Sequence, residues 1–102
     1  MNYTTLFSTE ANDDLTDILG WYTTQYSVDT KKRFIVEVSN TLKSLSKSPK
    51  AYSMRLKNAR CAAMKKYPYN FYYWVDDSDK TVNIFAILHQ KRNPEAWQGR
   101  IN

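Results

Sequence analysis

The chain has 102 residues, a formal net charge of +5, one cysteine and one histidine. That length makes a single domain over residues 1–102 with one modest core, and the lone Cys61 and His89 leave no intramolecular disulfide and no zinc spacing. No apolar run approaches the roughly 18 residues a membrane span needs, the opening Met1-Asn2-Tyr3-Thr4-Thr5 lacks a basic flank and an apolar core, and the two glycines, Gly20 and Gly99, build no phosphate-cradling loop; the expectation is a cytoplasmic protein without membrane, metal or cofactor.

Thr4-Thr5-Leu6-Phe7 reads as a first strand. Ser8 then caps a helix whose early turns hold Glu10, Asp13 and Asp14, where the macrodipole favours acids. Ala11, Leu15, Ile18, Leu19, Tyr22 and Tyr26 recur at helical spacing and form its inward face, with Trp21 and Tyr22 expected against the sheet. A second helix starts at Ser27 or Asp29, turns Phe34, Ile35, Val38, Leu42 and Leu45 inward, and ends at Ser48-Pro49. Two helices joined by so short a link pack as an antiparallel hairpin.

Residues 50–59 have no clear period and read as a basic loop. Strands follow over 61–67 and 71–75, with Cys61 as a small core residue, Tyr72 and Trp74 on one face, and Phe71, Tyr73 and Val75 on the other. Residues 76–80 form a turn, and the last strand is 81–89. A strict period of two puts Val82, Ile84, Ala86 and Leu88 on one face and Phe85, Ile87 and His89 on the other. Apolar character on both sides implies an interior strand. Asn93 as cap and Pro94 at the first position open a short C-terminal helix, with Trp97 clamping it to the sheet. The fold class is α+β: a helical hairpin on one face of a mainly antiparallel four-stranded sheet, the other face left to carry basic and aromatic residues.

Charge is segregated. Residues 1–30 hold five acids and no Lys or Arg, whereas 31–75 hold eleven Lys or Arg and the single acid Glu37. Such a field attracts a polyanion or an acidic protein segment. Lys43, Lys47 and Lys50 fit a solvated helix stripe; Arg55, Lys57, Arg60, Lys65 and Lys66 crowd a loop and strand region with no acids nearby and are candidate binding residues. A second cluster lies where the last strand runs out, at His89, Lys91 and Arg92. Loops at strand ends are held by the scaffold yet meet solvent. His89 has two open readings, a proton-transfer group or a ring bonded to nearby backbone, and Arg92 and Arg100 are also placed to pair with helix acids.

The ordered set Phe7-Ser8-x-x-Ala11-x-x-x-Leu15-x-x-Ile18-x-x-Trp21-Tyr22, Pro49, Arg60, Tyr67-Pro68-Tyr69-x-x-Tyr72 and Val82-x-Ile84-x-Ala86-Ile87-Leu88-His89-x-x-Arg92-x-Pro94-x-x-Trp97-x-x-Arg100 resembles the ParE/RelE superfamily of bacterial toxins across nearly the whole chain. The resemblance implies a growth-inhibiting toxin of a type II toxin–antitoxin pair, of the kind tied to plasmid stabilisation. It also implies an antitoxin whose extended or helical C-terminal segment wraps the toxin, and an assembly that is a hetero-oligomer with antitoxin or a homodimer.

Two activities follow from the two branches. RelE-like members cut messenger RNA in the ribosomal A site; ParE-like members poison DNA gyrase. RNA cleavage by 2′-hydroxyl attack needs a base, an acid and cations, for which His89, Arg92, Lys65, Lys66 and Arg60 are candidates, with Tyr67, Tyr69 or Tyr72 stacking on a base. The Ala86 to His89 segment is more similar to the ParE branch: RelE-like enzymes carry a glycine before the Lys-Arg pair and a C-terminal tyrosine, and this chain has Lys91-Arg92 with neither. The expected function is therefore gyrase poisoning, with Arg55, Lys57, Arg60, Lys65, Lys66, Tyr69, Lys91 and Arg92 meeting the target. Ribosome-dependent RNA cleavage through His89 and Arg92 is the alternative, and a non-catalytic nucleic-acid binder a weaker third.

Overall fold

In the computed structural model, which describes residues 2–55, 57–92 and Arg100, strand β1 (Thr4–Phe7) leads into helix α1 (Thr9–Gln25) and helix α2 (Val28–Lys47). A short 3-10 turn at Pro49–Ala51 follows, then β2 (Arg60–Ala63), β3 (Tyr69–Asp76) and β4 (Thr81–His89). The sheet order is β1-β4-β3-β2. β1 runs parallel to β4, and the other pairings are antiparallel. This is the expected helical hairpin on a mainly antiparallel four-stranded sheet. The expected helix from Asn93 through Trp97 lies outside the described residues.

Local chemistry sets the helix ends. Ser8 and Ser27, both extended, accept the backbone N–H of Ala11 at 3.0 Å and of Thr30 at 3.2 Å, each satisfying a donor the helix cannot. Only Tyr26 and Ser27 separate α1 from α2. Pro49 then blocks continuation of α2.

The core between the hairpin and the sheet holds Ala11, Tyr22, Phe34, Val38, Leu45, Phe71, Tyr73, Val82, Ile84 and Ile87. Phe34 is fully buried and stacks on Tyr22 at 4.6 Å, with Tyr67 and Tyr69 edge-on to it. Tyr73, also fully buried, donates its hydroxyl to the Pro49 carbonyl at 2.5 Å, which ties the end of α2 to the sheet. Three residues expected inside are outside: Trp21, Tyr26 and Ile35 are 44–49% exposed. Trp21 and Tyr26 stand edge-on to one another at the hairpin tip, beyond the end of the sheet-facing stripe, which Tyr22 closes.

The strict alternation expected for β4 fails at one point. Tyr72 pairs with Ala86 and Tyr73 with Ile84, so Phe85 is an extra residue on β4. This bulge turns Phe85 and Ala86 to the same face. Val82, Ile84 and Ile87 therefore join the helix-side core, while Phe85, Ala86 and Leu88 join a second cluster with Ala59, Cys61, Tyr72 and Trp74. The sheet face away from the helices is accordingly a buried apolar layer rather than the basic surface expected.

β2 is also shorter than the expected 61–67. It ends at Ala63, one last ladder bond runs from the Met64 N–H to the Tyr69 carbonyl at 2.9 Å, and Lys66 then takes a left-handed conformation, φ 70°, in the turn to β3.

Candidate functional site

The sequence-derived candidates do not converge on one site; they fall in three places. His89, Arg92 and Tyr69 share a shallow concavity of about 170 Å³ with Asp14, Asp17 and Ile18. Lys65 and Lys66 lie in the β2–β3 turn, and Lys57 lines a concavity on the other sheet face with Asn58 and Trp74. Arg55, Lys57, Lys65, Lys66, Lys91 and Arg92 are all exposed.

Two candidates have inner roles. Arg60 sends its guanidinium to the carbonyls of Tyr52 at 2.7 Å and Lys50 at 3.3 Å, fastening the segment after α2 to β2. Tyr69 is 8% exposed, packs on Phe34, and meets His89 edge-on at 5.6 Å. Burial pushes its phenol above its ordinary range, as it pushes Tyr22 up to about 12.

At the strand exit the chain makes a tight turn. Gln90 donates its backbone N–H to the Pro68 carbonyl at 2.7 Å, and Arg92 donates to the His89 carbonyl at 2.9 Å. The Lys91 N–H donates to His89 Nδ1 at 3.1 Å. A nitrogen that accepts carries no proton in the neutral ring, so the remaining hydrogen sits on Nε2. In that tautomer Nε2 has no lone pair with which to take a proton. Making His89 an acid requires protonating Nδ1, which breaks the turn's hydrogen bond. The bond to nearby backbone, one of the two readings open in the sequence, is present here.

The neighbouring acid is equally committed. β1 stops pairing with β4 after Ser8, whose N–H reaches the Ile84 carbonyl at 2.9 Å. Beyond it, Asp14 accepts the Ile87 N–H at 3.0 Å, and Arg100 donates to the Phe85 carbonyl at 3.1 Å. The two side chains pair through contacts of 2.7 and 3.3 Å, with side chains only 15% and 23% exposed. They supply to the bulged edge of β4 the donor and acceptor that a longer β1 would have given. Sequence reasoning read Asp14 only as a complement to the helix dipole; its role on β4 needed the bulge to be known.

Cys61 is buried, and burial raises its thiol above the ordinary range against the opposing charge of Arg55, as suits a core residue. Asn70 Oδ1, buried on the outer side, has no hydrogen-bond donor. Among the described residues no group of three metal-ligating side chains occurs and no helix is long and apolar enough to cross a membrane. The arrangement offers exposed cations for binding anions, while at the strand exit His89, Asp14 and Arg100 are already paired.

These features and the fold define a small type II toxin of the ParE/RelE kind. The profile of the family described as "ParE toxin of type II toxin-antitoxin system, parDE" matches residues 6–94, and the chain belongs to that family. Among solved structures, a chain of the chromosomal ParDE toxin–antitoxin system of P. aeruginosa has a TM-score of 0.72 at 14% identity, covering 85% of this chain and 95% of that one. A mutant of the E. coli RelE toxin in its free state has a TM-score of 0.68 at 16% identity, with full coverage of both chains. The RelBE2 toxin–antitoxin complex of Mycobacterium tuberculosis has a TM-score of 0.59 at 24% identity, covering 87% and 99%. At these identities the likeness is one of fold. No curated protein matches.

Proposed function

We propose that this toxin acts by docking on DNA gyrase and poisoning it, and that it is held in check by a cognate antitoxin. The observation that carries the mechanism is the Lys91 N–H bond to His89 Nδ1, which commits the only imidazole to its own turn. With Asp14 spent on Ile87 and Arg100, and Tyr69 buried with its phenol raised, neither of these neighbours of His89 is poised as its acid–base partner. Membership in the ParE family supports the same reading. The antitoxin is supported by the complexes named above, in which the similar chains belong to toxin–antitoxin systems.

The exposed cations Arg55, Lys57, Lys65, Lys66, Lys91 and Arg92 are the residues available for a target. Purified toxin added to gyrase and relaxed plasmid is expected to block supercoiling and accumulate cleaved DNA, while leaving messenger RNA intact on programmed ribosomes. Ribosome-dependent cleavage with unaffected gyrase would reverse the assignment and restore His89 and Arg92 as the reacting groups.

A further inference from the structure

Where α1 turns into α2, apolar groups stand in solvent at the tip of the hairpin. Val28, the first residue of α2, is 69% exposed, and Trp21 and Tyr26 are each close to half exposed. The polar groups among them are already bonded. Thr23 and Thr24 donate their hydroxyls to the Leu19 and Trp21 carbonyls at 2.9 and 3.0 Å, and Thr23 Oγ1 accepts from Lys31 Nζ at 2.6 Å. The Tyr26 N–H reaches the Tyr22 carbonyl at 3.0 Å, and Ser27 caps α2. Taking this tip out of bulk water therefore costs little in lost hydrogen bonds.

Cations surround the tip. Residues 18–36 carry Lys31, Lys32 and Arg33 against Asp29 alone. The β2–β3 turn, with Lys65 and Lys66, stands beside them, since its Tyr67 meets Phe34 edge-on at 5.1 Å. Between this turn and α2 run two concavities of about 400 and 310 Å³ that share Glu37 and Lys66 and so adjoin as one groove. The groove holds Lys32, Arg33, Lys65 and Lys66 against one acid, Glu37, whose Oε1 already accepts from Asn40 Nδ2 at 2.9 Å. The acids of the β3–β4 turn, Asp76, Asp77 and Asp79, lie toward the opposite end of β3, roughly 23 Å away at the strand rise per residue. One end of the molecule is thus apolar at its tip and basic around it.

We propose that this end docks on the surface of an anionic phospholipid bilayer. Trp21, Tyr26 and Val28 enter the boundary between headgroups and acyl chains, and Lys31, Lys32, Arg33, Lys65 and Lys66 meet the headgroup phosphates. Trp and Tyr join an apolar ring to a polar group and settle at headgroup level, while basic residues beside them are drawn to anionic lipid. The docking is peripheral, since among the described residues no helix is long and apolar enough to cross a membrane. A nucleic acid would need an open ring face for stacking. Trp21 instead packs edge-on to both Tyr22 and Tyr26 at 5.2 Å, and the aliphatic Val28 offers a base nothing to stack on. The proposal does not rest on gyrase as the target.

Purified toxin is mixed with vesicles of phosphatidylcholine, with and without about one third phosphatidylglycerol, and binding is read by co-sedimentation and tryptophan fluorescence. Binding is expected with the anionic vesicles only, salt-dependent and with emission shifted to the blue. Trp21→Ala should weaken it about tenfold and remove most of the shift. Lys32→Glu with Arg33→Glu should weaken it about tenfold or more. Lys43→Glu with Lys47→Glu makes the same charge change roughly 15 Å or more along α2 and should cost about threefold or less. All five side chains are exposed, so the fold is not at risk. Anionic-vesicle binding that is absent, that survives Trp21→Ala unchanged, or that falls as far with the Lys43 and Lys47 pair would overturn the proposal. So would Trp21→Ala weakening a single-stranded oligonucleotide and not the vesicles, which would assign the tip to nucleic acid.

Discussion

The strand exit at His89 and the groove beside α2 are both polar concavities, yet their side chains are employed in opposite ways. At the exit, His89 holds its own turn, Asp14 completes the β4 edge, and Arg100 neutralises Asp14. In the groove, four exposed cations stand against a single acid. A cluster of reactive residue types in sequence is thus a poor guide to availability. What separates the two places is how many of the groups are already bonded.

Removing the acid at the exit should have the largest effect. Asp14→Ala leaves the Arg100 guanidinium and the Ile87 N–H without their partner at a site less than a quarter exposed, and the expected loss is about 2–3 kcal/mol in urea unfolding. A loss near zero would mean that the β4 edge does not depend on this pair. The groove predicts the opposite sign. Lys66→Gly should leave stability unchanged or raise it by about 1 kcal/mol, because a left-handed residue gives up its side-chain strain; measurable destabilisation would show that Lys66 serves the fold.

The smallest expected effect lies at a third place, away from both. The Asp77 carboxyl lies below its ordinary range because the Lys50 ammonium, at 2.7 Å, and then the Tyr3 hydroxyl, at 2.9 Å, bond its ionised form. A lowered folded-state value means that this stabilisation is present at neutral pH. It is lost as pH falls below the ordinary carboxylate range and through the lowered value. Both partners are about half exposed, so salt should weaken the effect, and Asp77→Asn should flatten only a shallow slope in stability against acid pH. An Asp77 side-chain NMR titration at an ordinary midpoint would contradict the pairing.

Much of the architecture was legible in the chain. β1 and β4 fall on the expected residues, and Ser8 and Ser27 cap as their chemistry requires. Arg100 pairs with a helix acid, one of the two roles open to it. The parts not legible share a cause, in that each depends on a departure from a regular period. The extra residue at Phe85 reverses the faces of Ala86 and Leu88, and a period-two reading carries that error to the end of the apolar run. The same bulge creates the edge that Asp14 and Arg100 close. Ile35 and Tyr26 fit a helical stripe whose limits depend on where the sheet beneath it ends. Arg60 and Tyr69 look like binding residues by type, and only the segments packed around them show the inward use.

A structural His89 is what the gyrase reading requires, and His89→Asn tests this most directly. An asparagine carbonyl can accept the Lys91 N–H and keep the turn, but it cannot transfer a proton as imidazole does. Growth inhibition in cells expressing the variant, measured beside the unaltered toxin at matched protein level, is predicted to be retained within about twofold. A proton-transfer role contributes about 10²–10⁴-fold, so a loss of that size, with the variant still folded, would contradict the account and return His89 to the chemistry of RNA cleavage.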